Sequence, residues 1–259
     1  MDPQAGPTLL LVHGAWHGAW CWEQQFAPWL REQGHAVVTM NLPGHGRQGP
    51  RRIPWFSVAD YVDAVEAKLA EIGGPVVVAG HSMGGFVVQK LMERRPASLV
   101  GAVLVASVPP RGVIGVVLHL LASRPLAFLR TALTFDLYYL VRTPAFARAL
   151  FYSERLSDET IQQYWKPLQN ESFRAFIDML LLALPRPRRV DPELPKLVLG
   201  GGLDRIFPPG DVQATAAAYA VEPTMYPSMA HNLMLDVGWE AVAARLSQWV
   251  KALPAPRSA

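Results

Sequence analysis

Val76-Val77-Val78-Ala79-Gly80-His81-Ser82-Met83-Gly84-Gly85-Phe86 is the stretch whose reading decides the fold. Four apolar, mostly β-branched residues run into a serine flanked by glycines, and a helical pattern follows over residues 86–94. The order is strand, turn, helix. It places Ser82 on a tight turn, where a Cβ at the glycine positions would collide with the strand and helix on either side. A hydroxyl held there is strained and presented outward, as a nucleophile must be.

Working outward, short β-branched runs at residues 8–12, 36–40, 76–79 and 100–106 read as buried strands of a parallel sheet. Ser57 is placed to cap a helix whose apolar positions Val58, Tyr61, Val62, Val65 and Leu69 recur every three or four residues and stop before Gly73-Gly74. This is one βαβ crossover. After residue 106 the pattern changes: Pro109-Pro110 breaks the chain, and up to Pro195 the sequence is helical in pattern and rich in Leu, Phe, Tyr and Arg. Strand character resumes at 196–199. A helix at 211–220, a short strand at 223–226 and a last helix at 239–251 follow, and a proline-containing tail, 253–259, is expected to fray. The expected architecture is α/β, a mostly parallel doubly wound sheet. Its core is built from residues 1–108 and 195–259, with residues 109–194 inserted as a helical cap.

A serine hydroxyl is a weak nucleophile, so it needs a base in reach and a third group to hold that base's tautomer. Of seven histidines, His231 alone follows the later carboxylates, in the loop Ser228-Met229-Ala230-His231-Asn232 before the terminal helix. For the acid, Gly200-Gly201-Gly202-Leu203-Asp204 places Asp204 just beyond a strand's carboxyl end. The equivalent stretch one strand earlier, residues 106–111, has no carboxylate, and Asp191 and Glu193 precede their strand. Ser82, Asp204 and His231 therefore form the candidate catalytic set. The competing readings are a turn aspartate paired with Arg205 and an ordinary loop histidine.

With these motifs the chain resembles the α/β-hydrolase superfamily over most of its length outside the cap. His13-Gly14-Ala15-Trp16-His17-Gly18 is similar to the oxyanion loop of the esterase and hydroxynitrile lyase branch. Asn41-Leu42-Pro43-Gly44-His45-Gly46 resembles a second family signature, with Asn41 where the family usually has aspartate. The resemblance implies an oxyanion hole from the backbone amides of Met83 and Ala15, with Trp16 as second donor if the loop shifts by one residue. It implies a serine esterase working through an acyl-enzyme on a small ester, with no cofactor. Hydroxynitrile lyases of that branch carry threonine where this chain has Gly14 and use a cap lysine, and the only cap lysine is Lys166. A carbon–carbon bond hydrolase and a receptor-like, weakly catalytic binder remain alternatives. Dehalogenases and epoxide hydrolases use an aspartate nucleophile, and position 82 is serine.

Composition narrows the classes. The 259 residues are 51% hydrophobic and 17% charged, enough for one large core. A net charge of +3 is too small to argue for nucleic acid. Residues 111–189 hold eleven Lys or Arg against six Asp or Glu, an excess that suits an anionic substrate, a lipid surface or a solvated helical face. The aromatic and leucine content of the same segment fits either an apolar acyl or alcohol pocket or burial of the segment's own helices. Its apolar runs are too short to span a bilayer. One cysteine, Cys21, and no basic stretch ahead of the first apolar run point to a cytoplasmic protein. His13 and His17, four apart, are separated by glycine rather than aligned on a helix, so no metal is expected.

Overall fold

A computed structural model describes residues 6–46, 55–123 and 125–254. The tail from residue 255, expected to fray, lies outside the described residues. The chain enters through β1 (Thr8–Val12), the short helices α1 (Trp20–Glu23) and α2 (Phe26–Glu32), β2 (Val37–Met40) and α3 (Val58–Ile72). Next come β3 (Val76–His81), α4 (Met83–Arg94) and β4 (Leu99–Val105). A helical excursion carries α5 (Ile114–Ser123), α6 (Pro125–Thr134), α7 (Pro144–Phe151), α8 (Asp158–Trp165) and α9 (Phe173–Ile177). The chain returns through β5 (Lys196–Gly201), α10 (Pro209–Ala218), β6 (Pro223–Tyr226) and α11 (Trp239–Lys251).

Among the described residues the six strands form one sheet in the order β2-β1-β3-β4-β5-β6, every neighbouring pair parallel. Alternation along the strands divides the core between the two faces. Leu10, Val12, Val78 and Leu104 pack with α3, α4 and α10. Leu9, Leu11, Val77, Val103 and Val105 pack with α1, α2 and α11. Each fully buried Val or Leu contributes about 1.5–3 kcal/mol relative to exposure, which is why the central strands read as continuous apolar runs.

Local chemistry sets the helix ends. Ser57 Oγ accepts from the Asp60 amide at 3.2 Å while Asp60 Oδ2 accepts from the Ser57 amide at 2.7 Å, a complete capping box. Gly73, at φ 68°, closes α3 in the left-handed region that its missing Cβ permits. α10 starts at Pro209, earlier than residue 211, because proline's missing N–H costs nothing in a first turn. α4 likewise begins at Met83, directly after the nucleophile candidate.

The end of the excursion is tied to the core by polar contacts. Asp178 Oδ2 accepts from the Val58 amide at 2.9 Å, meeting an orphan donor at the start of α3, and Ser172 Oγ donates to the Phe56 carbonyl at 2.6 Å. Its beginning is different. α5 buries no side chain, and α6 buries only Thr131. Leu118, Leu121, Leu126, Leu129 and Leu133 of these two helices are exposed, whereas Leu137, Leu140, Phe151 and Leu168 further along the excursion are buried.

Candidate active site

Ser82 sits between β3 and α4 at φ 54°, ψ −116°, a strained conformation for a residue with a side chain. The neighbouring glycines make the turn possible. A Cβ on Gly80 would run into the Gly84 backbone, one on Gly84 into the carbonyls of Val12 and His13, and one on Gly85 into Ser107. The strand, the elbow and the loop after β1 are therefore pressed together at Ser82.

Asp204 and His231 come from the loops after β5 and β6, at the same edge of the sheet. His231 Nδ1 donates to Asp204 Oδ2 at 2.8 Å, and both side chains are buried. Asp204 Oδ1 accepts from the amides of Ile206 and Phe207 at 2.8 and 2.9 Å. Arg205 turns instead toward Glu154, 3.9 Å away, so Asp204 is not its partner. The His231 ring lies 4.8 Å from that of His81, the residue preceding Ser82, and His81 Nε2 donates to the His231 carbonyl at 3.1 Å. Ser82 Oγ and His231 Nε2 form no hydrogen bond among the described residues. A nucleophile–base contact commonly tightens only in the substrate complex.

The loop after β1 supplies the third side. Its Gly14 is so close that a Cβ there would stand 2.7 Å from His81 Nδ1 and 2.9 Å from Ser82 Cβ. The Ala15 and Met83 amides have no partner among the described residues. The Trp16 amide is directed at Glu171 Oε2, 3.4 Å away, and Trp16 stands at φ 64°. Trp16 is thereby occupied, whereas the Ala15 amide is left without a partner among the described residues.

Two buried networks, whose members outside the motifs include Asn232, Asp236 and Glu171, hold these loops. His17 Nδ1 donates to the Ala15 carbonyl at 2.7 Å, and its Nε2 accepts from Asn232 Nδ2 at 3.0 Å, joining the loop after β1 to the His231 loop. Burial lowers the His17 pKa to about 4, so the ring is neutral. His13 is engaged likewise: Nδ1 donates to the Gly14 carbonyl at 2.8 Å and Nε2 accepts from the Leu42 amide at 3.0 Å. Asp236 accepts from Ala230 N, Val237 N and both the amide and hydroxyl of Ser153, binding the His231 loop to the end of α7. Asn41, the departure from the family signature, accepts from the Ala19 amide at 2.8 Å and packs against Gly46, so it braces two loops.

The second network centres on Glu171, buried in the excursion. Its carboxylate meets His45 Nε2 at 2.9 Å, Tyr61 Oη at 2.9 Å and the Ser172 amide at 2.6 Å, besides the Trp16 amide. Burial disfavours charge on His45, but the Glu171 carboxylate outweighs it and raises the His45 pKa above the ordinary histidine value. Burial first, then the same carboxylate, push the Tyr61 phenol up, so it stays protonated. Around His231 the walls are aromatic: Phe207 and Phe151 lie 5.6 and 6.1 Å from its ring, and Trp16 is 5.8 Å from Phe151.

A family model, the Alpha/beta hydrolase family, matches residues 9–245, and the chain belongs to that family. Methyl jasmonate esterase 1 of Vitis vinifera is 37% identical over 104 residues, 39% of this chain and 40% of that one. Norfluorocurarine synthase 1 of a Strychnos species is 38% identical over 107 residues, 40% of each chain. The matched part thus spans about 40% of the length of these curated relatives. The crystal structure of the methylesterase MES16 from Arabidopsis superposes over 95% of this chain and 99% of its own, with a TM-score of 0.71 and 20% identity. That likeness confirms the fold.

Proposed function

We propose that this protein is a serine carboxylic ester hydrolase with Ser82 as nucleophile, His231 as general base and Asp204 as the group that orients it. The observation that carries the reading is the 2.8 Å contact from His231 Nδ1 to Asp204 Oδ2, which leaves Nε2 as the free nitrogen beside the Ser82 elbow. His231 Nε2 takes the Ser82 proton as Oγ bonds to the ester carbonyl carbon, and the carbonyl oxygen becomes an oxyanion met by the Ala15 and Met83 amides. Collapse expels the alcohol, which receives the proton from His231, and leaves an acyl-Ser82. Water, deprotonated by the same histidine, then releases the carboxylic acid.

Residues 109–194 form the proposed cap over residues 1–108 and 195–259. Trp16, Phe151 and Phe207 favour an apolar acyl or alcohol group next to the triad. Esterase names among the relatives support the ester as substrate class. A lone buried cysteine, Cys21, suits a reducing compartment, and we place the enzyme in the cytoplasm. A hydroxynitrile lyase is disfavoured. The threonine side chain such enzymes carry has no room at Gly14, and Lys166 is exposed at the end of α8.

The test is hydrolysis of p-nitrophenyl esters from acetyl to palmitoyl by the wild-type protein and Ser82→Ala. Turnover that falls roughly 10⁵-fold on substitution supports the reading, and the chain-length optimum measures the acyl site. Absence of turnover in both would transfer the same triad to carbon–carbon bond hydrolysis.

A further inference from the structure

The excursion's first two helices, α5 and α6, present their apolar residues to solvent. Ile114, Leu118 and Leu121 recur at helical spacing on α5, and Leu126, Leu129 and Leu133 on α6, with Phe135 just beyond. These seven side chains are 41–81% exposed. The helices pack against each other, so the exposed rows belong to one hairpin. Exposed apolar surface of this extent is unusual on a water-facing protein and marks a docking surface.

Charge identifies what docks. Residues 112–142 include Arg124, Arg130 and Arg142 against a single acidic residue, Asp136. Arg130 and Arg142 are exposed and stack their guanidinium groups over the Tyr139 ring, 4.6 and 4.3 Å from its centroid, and neither forms an ion pair among the described residues. A second copy of this chain meets that surface badly. A twofold interface would bring the arginines of both copies together with only Asp136 of each hairpin to receive them. An anionic bilayer surface offers both an apolar layer and phosphate charge. Each helix is only about 15 Å long, too short to cross a membrane, so the hairpin lies in the interfacial plane.

We infer that the α5–α6 hairpin docks this protein on membranes containing anionic phospholipid, with the leucines in the acyl boundary and the arginines at the headgroups. The hairpin ends beside the active site. Phe135 packs on Phe173 and Trp55 at 4.9 and 5.6 Å, and the Leu137 carbonyl accepts from Trp16 Nε1 at 3.2 Å. An apolar ester dissolved in the bilayer would thus be met next to the Trp16 loop. That consequence rests on the ester hydrolase reading, whereas the docking does not.

Flotation with vesicles of phosphatidylcholine alone, and of an equal mixture with phosphatidylglycerol, tests the inference on the full chain. The wild type and Ser82→Ala are expected to float equally with the mixed vesicles, and less with phosphatidylcholine or at high salt. The double variant Leu126→Asp/Leu133→Asp should lower partitioning by about tenfold or more, and Arg130→Glu should weaken only the anionic component. Both replace exposed side chains, and melting curves check that they fold. No flotation by the wild type, or unchanged flotation by the folded double variant, overturns the inference. So does a concentration-dependent dimer that the double variant abolishes while vesicles capture nothing. Vesicle binding without ester turnover would retain the docking and remove only the ester reading.

Discussion

His231 Nδ1 donates to Asp204 Oδ2 across 2.8 Å, and the other oxygen of that carboxylate is held by the amides of Ile206 and Phe207. Three donors thus set the rotation of one carboxylate, and the carboxylate sets the tautomer of one imidazole.

Asp204→Asn separates these tasks. Its oxygen can still accept from Ile206 and Phe207, but its NH₂ faces Nδ1 and demands the opposite tautomer, with the proton on Nε2. We expect kcat for ester hydrolysis to fall roughly 10³–10⁴-fold, with KM near wild type and a melting temperature little changed. A loss below tenfold would remove Asp204 from the catalytic set.

Much of this centre was legible in the chain itself. The run Val76 to Ala79 reads as a buried strand because both its faces are covered, and Ser82 stands out because its glycine neighbours have steric reasons visible in a turn. Asp204 and His231 follow from position after their strands. Glu171 was not legible: its partners His45 and Tyr61 are 126 and 110 residues away, and no spacing rule links them. Asp236 was equally silent, since a carboxylate three residues before a helix start looks like a surface cap until Ser153 is seen to approach it. Histidines separated by glycine hinted that His17 has no helical partner, but not that Asn232 would be its neighbour.

Glu171→Gln tests the buried ion pair. The His45 pKa is raised in the folded protein, so the pair's contribution is complete below the unfolded value of about 6.5 and disappears as pH rises through the folded value. Urea unfolding should therefore show Glu171→Gln costing more at pH 6 than at pH 9. An equal cost at both pH values would mean that His45 is not charged there.

His17 acts in the opposite direction. Its pKa is lowered to about 4 by burial, so the folded state excludes a proton that the unfolded chain binds. Stability from this site is complete above about pH 6.5 and declines as pH falls toward 4, by roughly 3 kcal/mol in all. His17→Gln should flatten the stability curve between those limits by about one proton, at the cost of some stability at pH 8. A curve parallel to wild type would show His17 protonated in the fold.

The central claim is that Ser82 is the activated nucleophile, and covalent labelling reads it most directly. Intact-mass spectrometry after brief exposure to a fluorophosphonate should show one adduct per chain, mapped to Ser82, absent in Ser82→Ala and strongly slowed in His231→Ala. An adduct on another residue, or none on folded wild-type protein, would contradict the account.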